Sequence, residues 1–352
     1  MTLPSTEKYI FYLNSTKNLL EQTIENVRHS ESLKKAHSLI KESKRVFFSG
    51  SGSSVPAASF ACMSILARTK TGAAFLKTSD VLSLKSLGPE DLLILVSQGF
   101  NRSDALIIQQ VAEKAGAALI LITAADVKLE GRSAVIKIVP NSLDERIFSR
   151  PCGVITSFAA TQMLIDNICE KTFSEQAYFA ALSQAAEVYE RLISNNLPEK
   201  IAEASHIVVL GSGLIKPAVE NLALCLREGA AKIAEFYEIE YYGHGQYVPH
   251  LSVEQQGKKI LYLIVRAKDE IISSRAVDRI SQLVKETKLN SVLIEVGGTP
   301  EEANVAILRI GGLLVGDLIL ASGYDMNSPP GKEENRDFHT VPPDYYDNAR
   351  RL

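Results

Sequence analysis

The chain has little of what usually announces special chemistry. Its four cysteines, Cys62, Cys152, Cys169 and Cys225, are scattered, with no CxxC pair. They read as reduced core thiols of a cytoplasmic protein, which excludes a disulfide framework or zinc knuckle. Six histidines show neither HxH nor HExxH spacing, so their pattern carries no metal signal. No apolar run approaches the ~20 residues of a membrane span. The start, Met1-Thr2-Leu3-Pro4-Ser5-Thr6-Glu7-Lys8, has no charged segment followed by an apolar core, so no signal peptide is expected. The formal net charge is -3, and nothing in the bulk charge favours nucleic acid or an anionic membrane. There is no P-loop GKS or GKT and no low-complexity tract. Neither a metal nor an organic cofactor is expected.

What is present is an ordinary globular composition with an internal repeat. Hydrophobic residues make up 46% and charged residues 22% of 352 positions, which suits two soluble domains. Arg45-Val46-Phe47-Phe48-Ser49-Gly50-Ser51-Gly52 and His206-Ile207-Val208-Val209-Leu210-Gly211-Ser212-Gly213 read as copies of one unit. Each is an apolar strand run that ends in Gly-Ser-Gly and enters a helical pattern. Such a turn can cradle an anion with backbone N–H groups and a helix N-terminus.

Residues 7–44 are helical in pattern and read as two helices. Strands are expected at 45–49, 74–79, 92–96, 119–122 and 135–139, with helices at 56–68 and 104–115. A helical stretch over 153–193 carries the chain between halves. The second half predicts strands at 206–210, 260–265, 290–296 and 304–309, with helices at 217–229, 270–286 and 313–322. Strand–helix alternation implies parallel sheets covered on both faces. The segment 325–352 is polar and proline-rich, and either lies over something or is disordered.

Three motifs could carry chemistry. In Gly50-Ser51-Gly52-Ser53-Ser54 the glycines let backbone approach a ligand and the hydroxyls add donors. An ordinary turn with a serine N-cap reads equally well from these residues alone. Ser97-Gln98-Gly99-Phe100-Asn101-Arg102-Ser103-Asp104 follows the buried strand 92–96, where open α/β sheets bind ligands. A capped turn would explain Ser103, but not Gln98 or Arg102, whose guanidinium suits phosphate or carboxylate. The run from Leu226 to Gly245 holds Glu228, Glu235, Glu238, Glu240, His244 and several tyrosines. A carboxylate and an imidazole are a common pair for moving protons. In one straight helix Glu228 and His244 would lie about 24 Å apart. Either the chain breaks between them, or they serve different sites, one of them in a partner subunit. Glu235, Glu238 and Glu240 read as solvated acids.

These residues resemble the sugar isomerase (SIS) domain proteins, in the double-domain form of the isomerase half of glucosamine-6-phosphate synthase. Gly211 to Gly245 carries the match without a gap: Gly-x-Gly-x-x-x-Pro (Gly211, Gly213, Pro217), Leu-[Lys/Arg]-Glu (Leu226, Arg227, Glu228), Ala-Glu-x-Tyr (Ala234, Glu235, Tyr237) and His-Gly (His244, Gly245). The first half matches through Gly52-Ser53-Ser54 and Ser97-Gln98, and more weakly through Glu145 to Ser149. The resemblance implies an α/β chain of two tandem flavodoxin-like domains, each a parallel sheet with helices on both faces. It divides the chain into helices at 1–44, a phosphate-binding domain at 45–195, a catalytic domain at 196–325 and a tail at 326–352 that closes over the site.

By this resemblance Gly52, Ser53, Ser54, Ser97 and Gln98 hold a sugar phosphate, with Arg102, Glu145 and Ser149 nearby. Glu228 is the base that moves a proton between C1 and C2. His244, supplied by the neighbouring subunit of a homodimer, opens the sugar ring, and Lys332 or Arg336 is the tail cation. The sequence departs from the family at Gly99, Phe100 and Arg102 in the phosphate loop. It departs again at Cys225 and Asn221, where the family has a lysine and a glutamate. Met1-Thr2 leads directly into helices, so no amino-terminal glutaminase is expected. The expected activity is aldose–ketose isomerisation or amino-sugar isomerisation or deamination through an enediol or enamine. The alternative is a phosphosugar-binding regulator without turnover. No nucleic-acid or membrane partner is expected.

Overall fold

The structure is a computed structural model, and it describes residues 5–100, 103–139, 151–255, 257–287, 289–323 and 325. The chain falls into two compact units. Among the described residues, one is built from 18–139 and 152–173, the other from 5–17, Pro151 and 174–325.

The amino-terminal segment forms α1 (Ser5–Asn14), α2 (Thr16–Arg28) and α3 (Glu31–Glu42), three helices where two were expected. The break before α3 is set by Ser30, whose hydroxyl accepts from the Ser32 N–H as an N-cap.

The first unit then alternates β1 (Arg45–Gly50), α4 (Val55–Arg68), β2 (Gly72–Phe75), α5 (Thr78–Ser83), β3 (Asp91–Val96), α6 (Ser103–Ala115), β4 (Ala118–Thr123), β5 (Ser133–Lys137) and α7 (Pro151–Ile168). The strand expected at 74–79 stops at Phe75, and α5 begins where Asp80 accepts the Lys77 N–H. The sheet is parallel throughout in the order β2-β1-β3-β4-β5, the doubly wound order whose switch point lies between β1 and β3. β3 and β4 are buried along their whole length, as expected of central parallel strands covered on both faces. Phe47, Leu93, Leu95, Leu119 and Leu121 form the core beneath α5 and α6, with Val81 and Ile108.

The second unit contains α8 (Glu175–Ser194), α9 (Leu197–Glu203), β6 (His206–Gly211), α10 (Lys216–Ala230), β7 (Ala234–Glu238), α11 (Ile239–Tyr241), α12 (Tyr247–Gln255), β8 (Ile260–Ala267), α13 (Ile271–Thr287), β9 (Ser291–Val296) and α14 (Pro300–Ser322). Its parallel sheet runs β7-β6-β8-β9, repeating the first four positions of the other.

The strand expected at 304–309 is instead the first half of α14. Thr299 and Glu302 form a reciprocal capping box with Pro300 in the first turn, which fixes a helix start. Residues Ala303–Leu308 are then buried on every side, so their apolar run carries no period to tell helix from strand. By length and composition α14 is also apolar enough to cross a membrane, and 67% of its apolar window is buried. Two of its charged residues, Arg309 and Asp317, find partners within the unit. Arg309 Nη1 donates to the Leu13 carbonyl at 2.6 Å and to Thr16 Oγ1 at 3.0 Å. Asp317 accepts the Tyr189 hydroxyl.

Candidate functional site

In the first unit β1 runs out at Gly50 and leads into an extended Ser51 and a short 3-10 turn, Gly52–Ser54. Glycine suits position 50, because a Cβ there would sit a tight 3.2 Å from the carbonyl oxygens of Ser54 and Val96. Gly52 is different. It has a φ of 54°, and a Cβ would meet nothing within 4 Å. Among the described residues nothing stands over Gly52. Neither Ser51 nor Ser54 makes a side-chain cap bond, so the serine N-cap reading of the turn does not hold. Ser54 is buried and Ser53 half-buried.

The second loop leaves β3 next door, since Gly50 pairs with Val96 across the sheet. The two loops therefore lie side by side at the carboxyl ends of β1 and β3, where doubly wound sheets bind ligands. The Gln98 carbonyl accepts from the Ala124 N–H at 2.9 Å and from Thr123 Oγ1 at 3.1 Å. Its buried side chain lies against α7. There Nε2 donates to Ser157 Oγ at 3.5 Å, and a Cβ at Gly153 would stand 2.1 Å from the same nitrogen. Gly153 and Ser157 thus position Gln98, and neither stood out in the sequence. Phe100 is left-handed at φ 43° and buried in the core cluster. A phenylalanine holds a conformation that normally favours glycine, and burial of its ring offsets the strain.

The second Gly-Ser-Gly turn has the same backbone path. Ser212 is extended, Gly213 has a φ of 77°, and a 3-10 turn leads to α10. Its surroundings are filled. Glu270, which immediately precedes α13, accepts from the Ile272 N–H at 3.1 Å and the Ser273 N–H at 2.8 Å. A Cβ on Gly213 would lie 2.1 Å from the same carboxylate. The Ser212 hydroxyl donates to Glu240 and accepts from the Ile239 N–H at 3.1 Å. A protein carboxylate, bonded to the first N–H groups of α13, already occupies the space over Gly213.

Glu228 and His244 belong to separate elements. α10 ends in a left-handed Ala231, β7 follows, and His244 stands exposed in a π-turn with Gly245 at φ 100°. The chain therefore breaks between the two residues, so the straight-helix separation does not apply to them. Glu228 is half-buried on α10, one residue before Gly229, where a Cβ would meet Val315 Cγ1 at 2.4 Å. That close crossing with α14 fixes the turn bearing Glu228. One turn back, Asn221 Nδ2 donates to Cys225 Sγ at 3.2 Å. Burial, and after it the charge of Glu228, pushes the Cys225 thiol up to about 12, so it is a neutral group at pH 7. Of the other acids of this run Glu240 is exposed and Glu235 and Glu238 partly so, as expected of solvated acids, and each also has a partner. Lys216 Nζ donates to Glu238 at 2.5 Å, Ser212 donates to Glu240, and Glu235 is bound by two histidines and a tyrosine. Arg102, Glu145, Ser149, Lys332 and Arg336 lie outside the described residues.

No protein-family model and no curated protein matches the chain. Solved structures do. The carboxy-terminal domain of glucosamine-fructose-6-phosphate aminotransferase from Francisella tularensis is 18% identical with a TM-score of 0.69, over 91% of this chain and 98% of that one. A glucosamine-6-phosphate deaminase from Thermotoga maritima is 22% identical at 0.67, over 92% and 97%. A tagatose-6-phosphate ketose/aldose isomerase from Escherichia coli is 13% identical at 0.72, over 93% and 98%. The chain has the tandem sugar isomerase domain fold that these structures share.

Proposed function

We propose that this chain is a sugar-phosphate enzyme of the isomerase or deaminase type. The observation that supports this most is the open Gly52–Ser53–Ser54 turn beside Ser97 and Gln98, with serine hydroxyls that cap nothing and a glycine facing free space. Backbone N–H groups, hydroxyls and a helix start suit a phosphate. The three solved structures above carry names of an aminotransferase, a deaminase and a ketose/aldose isomerase of sugar phosphates. A proton transfer beside a sugar carbonyl or imine is common to these reactions.

In this reading Gly52, Ser53, Ser54, Ser97 and Gln98 hold the phosphate, with Arg102, Glu145 and Ser149 nearby. Glu228 takes the proton from C1 or C2 of the open-chain sugar and returns it to the neighbouring carbon. His244 assists ring opening, and Lys332 offsets the oxyanion. The working unit is a cytoplasmic homodimer in which a neighbouring subunit supplies His244.

Asn221 and Cys225 favour a second reading. They leave Glu228 beside a neutral thiol and an amide where the family carries charge, which suits phosphosugar binding without turnover.

A thermal-shift screen of hexose, hexosamine and sugar-acid phosphates, followed by turnover assays on the hits, separates the two. The enzyme reading expects turnover that Glu228→Gln lowers by ~10²–10⁴-fold while the thermal shift survives. Turnover untouched by this change removes Glu228 as the base. A shift with no turnover on any hit favours the regulator. Light scattering tests the dimer, and an active monomer would contradict it.

A further inference from the structure

At the amino ends of β6 and β7, opposite the Gly211 turn, three side chains converge that the proposed chemistry does not use. His206 opens β6, Glu235 is the second residue of β7, and His250 lies in α12. His206 Nε2 is 3.0 Å from Glu235 Oε2, and His250 Nε2 is 3.5 Å from the same oxygen. All three ligand atoms lie within 4.8 Å of one another. Donors about 2.0–2.1 Å from a tetrahedral zinc ion stand roughly 3.3 Å apart. The two histidine–carboxylate separations already bracket that value, and the third pair, within 4.8 Å, closes if the partly buried His206 ring turns while His250 keeps its plane.

The surroundings also suit a metal. Tyr242 OH is 3.0 Å from His250 Nδ1, so that ring can use Nε2 as the ligand while Nδ1–H donates outward. Such an outer partner is the usual way a ligating imidazole is oriented. Tyr237 OH donates to Glu235 Oε2 at 2.9 Å. Tyr242 also stacks on His250, with ring planes 17° apart, which restrains the ring in its present plane. His250 is buried, with His206 and Glu235 only partly so, which leaves a solvent path to a fourth position. Among the described residues no lysine or arginine pairs with Glu235, whose imidazole contacts are His206 and His250, so no fixed cation competes for its charge.

We propose that His206, Glu235 and His250 bind one divalent transition-metal ion, zinc by the character of the ligands, with water in the fourth position. Two imidazoles and one carboxylate form an established donor set for zinc, and they leave one position open. Two of the ligands sit on adjacent strands and the third on a helix, so the ion would tie α12 to the edge of the sheet.

The test uses the full chain, stripped with a chelator, dialysed and titrated with zinc against a chromophoric zinc indicator. One zinc per chain is expected, with donors of nitrogen and oxygen only in the zinc-edge X-ray absorption spectrum. His206→Gln, Glu235→Gln and His250→Gln should each abolish stoichiometric binding. Tyr242→Phe should weaken it by about 10–100-fold, as loss of an outer partner does. Absence of zinc binding to the unaltered chain overturns the proposal, as does unchanged stoichiometry in folded ligand variants. Sulfur in the absorption spectrum would place the ion on a cysteine and overturn it too. Because that spectrum is taken on the unaltered protein, the result stands even if a variant fails to fold.

Discussion

The two Gly-Ser-Gly turns share a backbone and differ in what stands before them. Over Gly52 no described residue stands. Over Gly213 there is the Glu270 carboxylate, bonded to two N–H groups of the helix that follows. In doubly wound sheets the βα turns at the switch point are anion sites by construction. A duplicated chain therefore starts with two such places. Here the second has been filled by an acid from its own sequence, and its serine has been turned towards Glu240. The first has kept a glycine in free space and serines that cap nothing. An empty cradle favours binding, and a filled one contributes to stability.

The sharpest way to break this comparison is to give each turn a methyl group. Gly213→Ala forces a left-handed alanine and expels the Glu270 carboxylate, at a cost of about 1.5–4 kcal/mol from backbone strain and a lost helix cap. Gly52→Ala meets nothing and carries the strain alone, about 1–2 kcal/mol. Urea midpoints of the two variants check this. In a Glu270→Ala background the cost of Gly213→Ala should fall towards that of Gly52→Ala, stopping short of it because the Ser273 backbone nitrogen stays 3.2 Å from the new Cβ. Equal costs in the unaltered background would mean that Glu270 does not fill the second turn.

The next effect concerns ligand. Ser53→Ala and Ser54→Ala should each weaken binding of the best sugar phosphate from the screen by roughly 10–100-fold, since a hydrogen bond to a charged group contributes about 1.5–3 kcal/mol. The stability of the free protein should barely move, because neither hydroxyl caps the turn. Ser212→Ala should do the reverse. It leaves affinity alone and lowers stability, because Ser212 is bonded to Ile239 and Glu240. Calorimetry with both serine sets, and a shared loss of affinity, would show that the two turns are not so different.

These contrasts also show where the sequence was legible. The strands read correctly where an apolar run ends at glycine, as in β1 and β6, or is unbroken, as in β3, because buried parallel strands leave that pattern. Residues 304–309 misled because a fully buried helix and a fully buried strand share an unbroken apolar run. Both Gly-Ser-Gly turns were visible as motifs. In the sequence their inequality shows only as Leu214-Ile215 after Gly213 where Ser53-Ser54 follow Gly52, and its physical cause, Glu270, enters from a different strand–helix connection. Gly153 and Ser157 reach Gln98 in the same way, from α7. The histidine–glutamate cluster was hidden for a related reason. Its three members come from two strands and a helix, so no short spacing announces them.

Opening the second turn is a smaller perturbation. Glu270→Ala removes a cap at about 0.5–2 kcal/mol and exposes the N–H groups of Ile272 and Ser273. In a Ser53→Ala/Ser54→Ala background, where phosphate no longer protects the protein, adding Glu270→Ala should restore some protection by inorganic phosphate. The melting temperature with and without phosphate reads this directly. No recovery would mean that the second turn is not a latent anion site, and that its likeness to the first ends at the backbone.

The smallest expected effect lies at the other end of the sheets, where the first residues of β1 and β6 also diverge. His206 faces Glu235, whereas Arg45 forms a forked pair with Asp91, both contacts at 2.7 Å, and Asp91 also accepts the Gly88 N–H at 2.8 Å. The Arg45 guanidinium holds the Asp91 carboxyl below the usual carboxylate range, against the opposing effect of burial. A carboxyl whose folded value is depressed binds its proton more readily in the unfolded chain. Its contribution is therefore complete above an unfolded value of about 3.9 and is lost as pH falls through the lower folded value. Unfolding free energy measured between pH 6 and pH 3 should thus be flat with respect to Asp91 at the upper end and fall at the lower end. Asp91→Asn should lower stability at pH 6 and flatten that acid-side fall. A variant whose acid limb matches the unaltered chain would show that the Arg45–Asp91 pair does not distinguish the amino end of the first sheet from that of the second.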